Sequence, residues 1–193
     1  MNRYMTGLLV SLLVAACSES PAPLLPTPAV EPPVVLDAEV VRARGAEVLM
    51  PFKQQLMQAL QQGMADGVVP AIDICRVQAP AIAEGLAGEG VAMGRSSHRL
   101  RNPANAPEPW QQQWLDYYLG SEDRIAGITD LGDGRAGYVE PIVTAPLCLA
   151  CHGLDLSADV TAALQLHYPD DQATGFQGGD LRGIFWVTMP VGL

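Results

Sequence analysis

Apolar residues at helical spacing follow a capping residue in the first third of the chain. Asp37 precedes A-E-V-V-R-A-R, and its carboxylate is a good N-cap, so we predict a helix from residue 38. Beyond Pro51 the apolar positions recur three or four residues apart, and they are Phe52, Leu56, Met57, Leu60 and Met64. The pattern predicts a helix ending near Gly67. Pro51 either kinks one long helix or lies in the first turn of a second.

Shorter elements are expected in the middle of the chain. V-V-P-A-I-D-I-C-R-V, residues 68–77, is rich in β-branched residues and predicts a short strand or an extended segment. A helix is expected over 79–86, and residues 91–98 indicate the end of a strand. A proline-stiffened loop at 101–109 then leads into a helix over 108–119.

Strand patterns dominate the last third of the chain. G-Y-V-E-P-I-V, residues 137–143, and G-I-F-W-V-T-M-P-V, residues 183–191, combine β-branched and aromatic residues and predict two strands. Because helices come first and strands mostly later, the pattern predicts an α+β fold with an antiparallel sheet.

Residues 1–16 have the pattern of an export signal. Arg3 gives a positive start, residues 7–14 a short apolar run, and Ala15 and Ala16 small residues before a cleavage point. The run is too short for a transmembrane span. Cys17 follows, and V-A-A-C resembles the lipobox of bacterial lipoproteins, in which that cysteine is lipidated. The alternative is an ordinary secretory peptide with a coincidental cysteine.

The next segment predicts a tether and a location. Residues 18–35 contain six prolines, which forbid helix and discourage sheet, so we expect a semi-extended tether over 17–36 before a domain over 37–193. Ser18, rather than Asp, follows the cysteine. By resemblance to Gram-negative lipoproteins, this favours anchoring to the outer membrane on its periplasmic side.

Composition narrows the class of protein. The 193 residues suit one domain, and 49% of them are hydrophobic, which is enough for a core. There are 11 basic and 21 acidic residues, for a formal net charge of −10, and no basic stripe. Nucleic acid is therefore not expected as a partner.

The sharpest motif is C-L-A-C-H at residues 148–152, a C-x-x-C-H pattern typical of c-type haem attachment. Cys148 and Cys151 would form thioethers with the two vinyl groups of one porphyrin, and His152 would supply an imidazole nitrogen to iron. A single motif predicts one covalent haem c per chain. A thioredoxin-like thiol pair would need a βαβ context, and a zinc site would need a fourth ligand at typical spacing. Neither is evident in the sequence.

A haem iron has a second axial position, for which the sequence offers several ligands. Besides the cysteines, the candidates are Met64, Met93, Met189, His98 and His167. Cys75 is available because the other three cysteines already have roles at the lipobox and the haem. A small buried residue and an intermolecular disulfide remain alternatives for this thiol.

Arginines are candidates for the haem propionates. Arg95, Arg99 and Arg101 lie within seven residues in a chain that has only 11 basic residues. Guanidinium groups bind carboxylates in a bidentate manner, and we expect Arg95 and Arg101 to do so here. The alternative is a solvated turn.

Five stretches together resemble the Tll0287-like domain family, over about residues 45–190. In order they are A-I-D-I-C-R-V-Q-A-P, G-R-S-S-H-R-L-R-N-P-A-N-A-P-E-P-W, Y-V-E-P-I, C-L-A-C-H-G and G-D-L-R-G-I-F-W-V. The resemblance implies a PAS-like α+β fold, with a central antiparallel sheet and flanking helices around a haem pocket. It also implies one c-type haem with His152 and Cys75 as axial ligands. Members occur alone and as sensory modules, and since the chain ends soon after the last strand, no kinase or cyclase output is expected.

The predicted function is that of a lipid-anchored periplasmic cytochrome. A thiolate opposite histidine stabilises ferric iron, so we expect low-potential electron transfer or redox sensing with a redox partner that the sequence does not identify. The alternative is a haem-based gas or redox sensor that loses its cysteine ligand and signals through an envelope partner. An enzyme is not expected, because the sequence shows no distal acid/base pair of the kind a peroxidase uses.

Overall fold

The computed structural model describes residues 37–191, which fold as an α+β unit. The predicted export signal, Cys17 and the whole predicted tether lie outside the described residues. No helix in the described part of the chain is both long and apolar enough to cross a membrane.

The first helix, α1, spans Ala38–Ala65 without interruption. The Asp37 carboxylate accepts hydrogen bonds from the backbone N–H groups of Glu39 (3.0 Å) and Val40 (3.2 Å), which confirms the predicted N-cap. Pro51 lies inside this helix, so the prediction of one long helix is the correct one of the two.

The expectation of a strand at residues 68–77 is wrong. Val68–Asp73 form helix α2, which continues through a π-helical turn at Ile74–Gln78 into α3, Ala79–Leu86. Pro70 occupies the first turn of α2, where a missing N–H costs no helical hydrogen bond. Burial of Ala71 and Ile72 outweighs the strand preference of the β-branched residues.

The other helices follow in the second half of the described chain. Helix α4 spans Pro109–Gly120, close to the predicted bounds, and begins with a reciprocal capping box between Glu108 and Gln111. A short turn of helix, α5, covers Leu149–His152, and α6 covers Ala158–His167. The α6 helix was not predicted.

The sheet has four antiparallel strands in the order β1-β4-β3-β2. The strands are Ala92–Ser96 (β1), Gly127–Gly132 (β2), Arg135–Val143 (β3) and Leu181–Pro190 (β4). The predicted antiparallel sheet and the strands β3 and β4 are confirmed. Strand β2 was not predicted; it reaches β3 through a turn whose central residue, Asp133, has a φ of 50°.

The two faces of the sheet carry separate apolar clusters. Helix α1 packs on one face through residues that include Leu49, Phe52, Tyr138, Val187 and Met189. Helix α4 packs on the other face through Trp110, Leu115, Tyr118, Val139 and Ile184. Neighbouring residues such as Tyr138 and Val139 alternate between the two faces, as the pleat requires. The sheet is therefore the middle layer of three.

The contact of α1 with the sheet depends on a glycine. A Cβ added at Gly45 would lie 2.7 Å from Cβ of the buried Tyr138, whose ring leaves no space for it. We expect Gly45→Ala to lower the free energy of unfolding by about 1–3 kcal/mol, the usual cost of overpacking. The matched control is Gly85→Ala in α3, where the added Cβ meets no atom within 4 Å. Urea denaturation should show no loss of stability in the control, and equal stabilities in the two variants would contradict this packing.

Candidate haem site

A cavity opens between the helices and the β1/β4 edge of the sheet. It is lined by the second half of α1, by α2 and its π-helical turn, by β1 and the loop after it, and by the segment that carries C-L-A-C-H. The space free of protein atoms is about 1240 Å³, including the open mouth. Its lining is mainly apolar with a few polar and titratable side chains among them, which is typical of a pocket for an organic ligand.

The attachment motif lies at the wall of this cavity. Cys148 ends a 3₁₀ turn that begins at Pro146, and α5 follows immediately. A spacing of three residues in a helical turn puts Cys148 and Cys151 on the same side, and both thiols are free and line the cavity together with His152. Burial raises the pKa of the Cys151 thiol; the charge of Arg101 opposes this shift, whereas Cys75 and Cys148 add to it.

The imidazole of His152 is oriented by the backbone. Its Nδ1 lies 2.6 Å from the carbonyl oxygen of Ala173, and because a carbonyl only accepts, Nδ1 carries the proton. Nε2 therefore carries no proton in the neutral ring, and the His152 side chain lines the cavity. Burial, followed by the charges of Arg182 and Arg101, lowers the pKa of His152 to about 2, so the ring is neutral. A neutral imidazole held at Nδ1 by a carbonyl is the form that ligates metals.

Arg101 lines the cavity, but its guanidinium is bound to the protein. Nη2 donates to the carbonyl oxygens of Cys151 (2.6 Å) and Ala173 (3.2 Å), and Nε donates to Asp171 (3.1 Å). The side chains of Arg101 and Asp171 are only 9% and 8% exposed. Arg101 therefore joins the attachment motif to the segment that orients His152, and its expected contact with a haem propionate stays a prediction.

Removing this arginine should destabilise the domain. Arg101→Gln leaves the buried Asp171 carboxylate without its cation, so we expect the free energy of unfolding to fall by about 3–5 kcal/mol. Arg44→Gln is the matched control, since the Arg44–Glu47 pair is exposed and should contribute about 0–1 kcal/mol. Chemical denaturation of the two variants measures the difference, and similar midpoints would contradict the role of Arg101.

Two other arginines line the cavity without a carboxylate partner. The ion pairs within residues 37–191 join Arg44 to Glu47, Lys53 to Glu140, Arg76 to Asp73 and Arg101 to Asp171. Arg95 was predicted from the sequence, whereas Arg182 was not. No local sequence signal marks Arg182, because its burial arises from contacts with Ser97 and Phe176, which lie elsewhere along the chain.

Cys75 lies on the π-helical turn and also lines the cavity, with a half-buried free thiol. Of the other ligand candidates, only Met64 is at the cavity wall. Met93 and Met189 are buried in the core between α1 and the sheet. His98 packs edge-on against Phe176 and His167 ends α6, both away from the cavity lining. Met57, one of the apolar positions of α1, lines the cavity too.

These residues fit a covalently bound haem. Two free thiols can form the thioethers, a neutral imidazole can ligate iron, and a third thiol in the same cavity is available for the second axial position. Apolar side chains such as Leu56, Leu60 and Phe185 can contact a porphyrin plane. The thioredoxin alternative lacks its parallel βαβ unit here, since all strand pairs of the described sheet are antiparallel.

Comparison with known proteins agrees with this geometry. The Tll0287-like family model, described as Tll0287, matches residues 37–190. The crystal structure of the cyanobacterial heme-protein Tll0287 is similar to this chain at 26% identity and a TM-score of 0.54. The similarity covers 74% of this chain and 92% of that one. No curated protein matches the chain.

The family match spans most of the chain and includes both the cavity-lining cysteine of the π-helical turn and the C-x-x-C-H motif. The similar structure extends over nearly the whole of its own chain and has the same fold. This chain therefore belongs to the Tll0287-like family.

Proposed function

We propose that this protein is a monohaem c-type cytochrome that carries single electrons at low potential. The observation that supports it most directly is the cavity shared by Cys148, Cys151, His152 and Cys75. Two thiols for covalent attachment and one ligand for each side of an iron are the complete donor set of such a protein. The similar solved structure is that of a heme-protein, which supports the same conclusion.

The protein groups have separate parts in this function. A bound haem would supply the one-electron Fe(III)/Fe(II) couple. The carbonyl of Ala173 holds His152 in the tautomer whose Nε2 has a free lone pair. Arg101 holds that carbonyl and the carbonyl of Cys151 in place. As an iron ligand, Cys75 would contribute the negative charge of a thiolate, which favours the ferric state and lowers the reduction potential. Electron transfer requires no acid/base pair, so the function proposed is that of a carrier and not of an enzyme.

Anchoring by lipid is part of the proposal. The support is the sequence V-A-A-C around Cys17 and the proline-rich segment after it. The tether would keep the haem domain near the outer membrane, on its periplasmic side, within reach of a redox partner. Mass spectrometry of the N-terminal peptide should show Cys17 as the first residue with a diacylglyceryl group on its sulfur. An unmodified Cys17 thiol in the mature protein would contradict lipid anchoring.

The reduction potential tests the low-potential assignment. Thiolate ligation predicts a midpoint well below the positive values typical of Met/His cytochromes c, as measured by spectroelectrochemical titration of the purified protein. A midpoint in the Met/His range would point to Met64 or Met57, the methionines at the cavity wall, as the ligand.

A sensor function is the second candidate, and the π-helical turn is the observation that favours it. The turn at Ile74–Gln78 contains no buried residue. π-Helical turns are rare overall, and those that occur are often found at functional sites. Because this turn makes few packing contacts, moving Cys75 away from an iron would cost little packing energy. If reduction releases Cys75, then carbon monoxide should change the spectrum of the reduced protein. An unchanged spectrum would leave plain electron transfer as the function.

A further inference from the structure

Arg182 lies at the start of β4 and its guanidinium is held in the cavity from two sides. Nη1 lies 3.2 Å from Oγ of Ser97, and Cζ lies 5.2 Å from the ring centroid of Phe176. The Ser97 hydroxyl in turn donates to the carbonyl oxygen of Arg182 at 2.7 Å. The position of the cation is thus built into the fold, since Ser97 connects the two strands of this edge of the sheet.

This cation lacks a counterion among the described residues. Its Nε is buried without a hydrogen-bond partner, and the nearby Asp171 is already paired with Arg101 at 3.0 Å. A guanidinium charge that is buried without a partner is unfavourable. Such a group is suited to an anionic ligand.

The remaining contact of Arg182 is with His152. Nη2 lies 3.5 Å from Nε2, the nitrogen whose lone pair a haem iron would take. Once that lone pair is engaged, the guanidinium needs another acceptor. A haem carries two propionate carboxylates, and the cavity wall carries two arginines without carboxylate partners in the described chain, Arg95 and Arg182.

We propose that Arg182 binds a haem propionate, with Arg95 serving the second, and that Arg101 does not. The inference rests on the proposed function. The propionate edge of the porphyrin would then face β1 and the start of β4, because the two arginines lie on these adjacent strands. Arg182 also gives the protein a buried positive charge that favours the ferrous state and partly offsets the thiolate.

The test compares Arg182→Gln with Arg44→Gln, a variant that removes the same charge from the exposed surface of α1. Loss of the buried cation should raise the ferric-to-ferrous ratio at a fixed potential about tenfold. For a one-electron couple this corresponds to a midpoint potential about 59 mV lower. The propionate bending bands in the resonance Raman spectrum should shift in the same variant. In Arg44→Gln both should match the unmodified protein. Unchanged potential and bands in Arg182→Gln would overturn the proposal.

Arg182→Lys serves as the second variant, since it keeps the charge and loses the forked geometry. We expect its potential to stay close to that of the unmodified protein while the propionate bands shift. If Arg182→Gln does not accumulate with haem, Arg182→Lys provides the test. Unshifted propionate bands in Arg182→Lys would then overturn the proposal. Absence of haem from the unmodified protein would instead refute the proposed function, and this inference with it.

Discussion

Cys75→Ala is expected to raise the reduction potential and to abolish the low-spin ferric spectrum. The thiolate is an anion and a strong-field ligand, so its loss destabilises the ferric state and leaves the iron without its sixth ligand. Axial ligands tune haem potentials over about 0.8 V in total, and we expect a shift on the order of 0.1 V or more. Optical spectra, EPR of the ferric protein and a potentiometric titration measure the change.

Met64→Leu is the matched control for this substitution. Met64 and Cys75 both line the cavity, and the thioether of Met64 is the alternative sulfur ligand on α1. The control should keep the low-spin signal and the potential of the unmodified protein, because leucine preserves the apolar contact. If Cys75→Ala leaves the low-spin signal intact and Met64→Leu removes it, the assignment of Cys75 is wrong.

The double variant Cys148→Ala/Cys151→Ala is expected to lose covalent attachment of haem completely. Both thiols are needed to bond the two vinyl groups, and each single variant leaves one thioether. Without the covalent bonds, the porphyrin should pass into acidified organic solvent. Haem staining after denaturing electrophoresis provides a second measurement, in which the double variant should show no signal.

Cys75→Ala separates attachment from ligation in the same experiment. Its thiol belongs to a different element from the attachment motif, the π-helical turn rather than the segment at α5. The haem should therefore stay attached to the denatured Cys75→Ala chain. Loss of the haem stain in that variant would mean that Cys75 takes part in a thioether, contrary to the roles assigned here.

Much of the fold could be predicted from local patterns. Asp37 identified the start of α1, and the β-branched and aromatic runs identified β3 and β4. The segment at 68–77 was misassigned because its preference for strand is overridden by packing of Ala71 and Ile72, which is decided by distant elements. Helix α6 carried a usable signal that was missed, since Ser157 caps it and Val160 and Leu164 are four residues apart.

The sequence predicted the part of the site whose residues are close together along the chain. The spacing of Cys148, Cys151 and His152 has a chemical reason that is visible in the sequence, and the structure puts all three at one cavity. The contacts of Arg101 and Arg182 could not be predicted from the sequence, because they depend on which carboxylates and carbonyls lie nearby. Arg101 is bound to Asp171, whereas Arg182 has no carboxylate partner among residues 37–191, and only the tertiary structure shows this.

The intact mass of the denatured mature protein tests the central claim most directly. The protein would be made in a host that attaches c-type haem, so that Cys148 and Cys151 can react. The account predicts the mass of the lipidated polypeptide plus one haem, retained after denaturation and extraction with acidified organic solvent. A mass equal to that of the polypeptide without haem, from cells that load other c-type cytochromes, would contradict it.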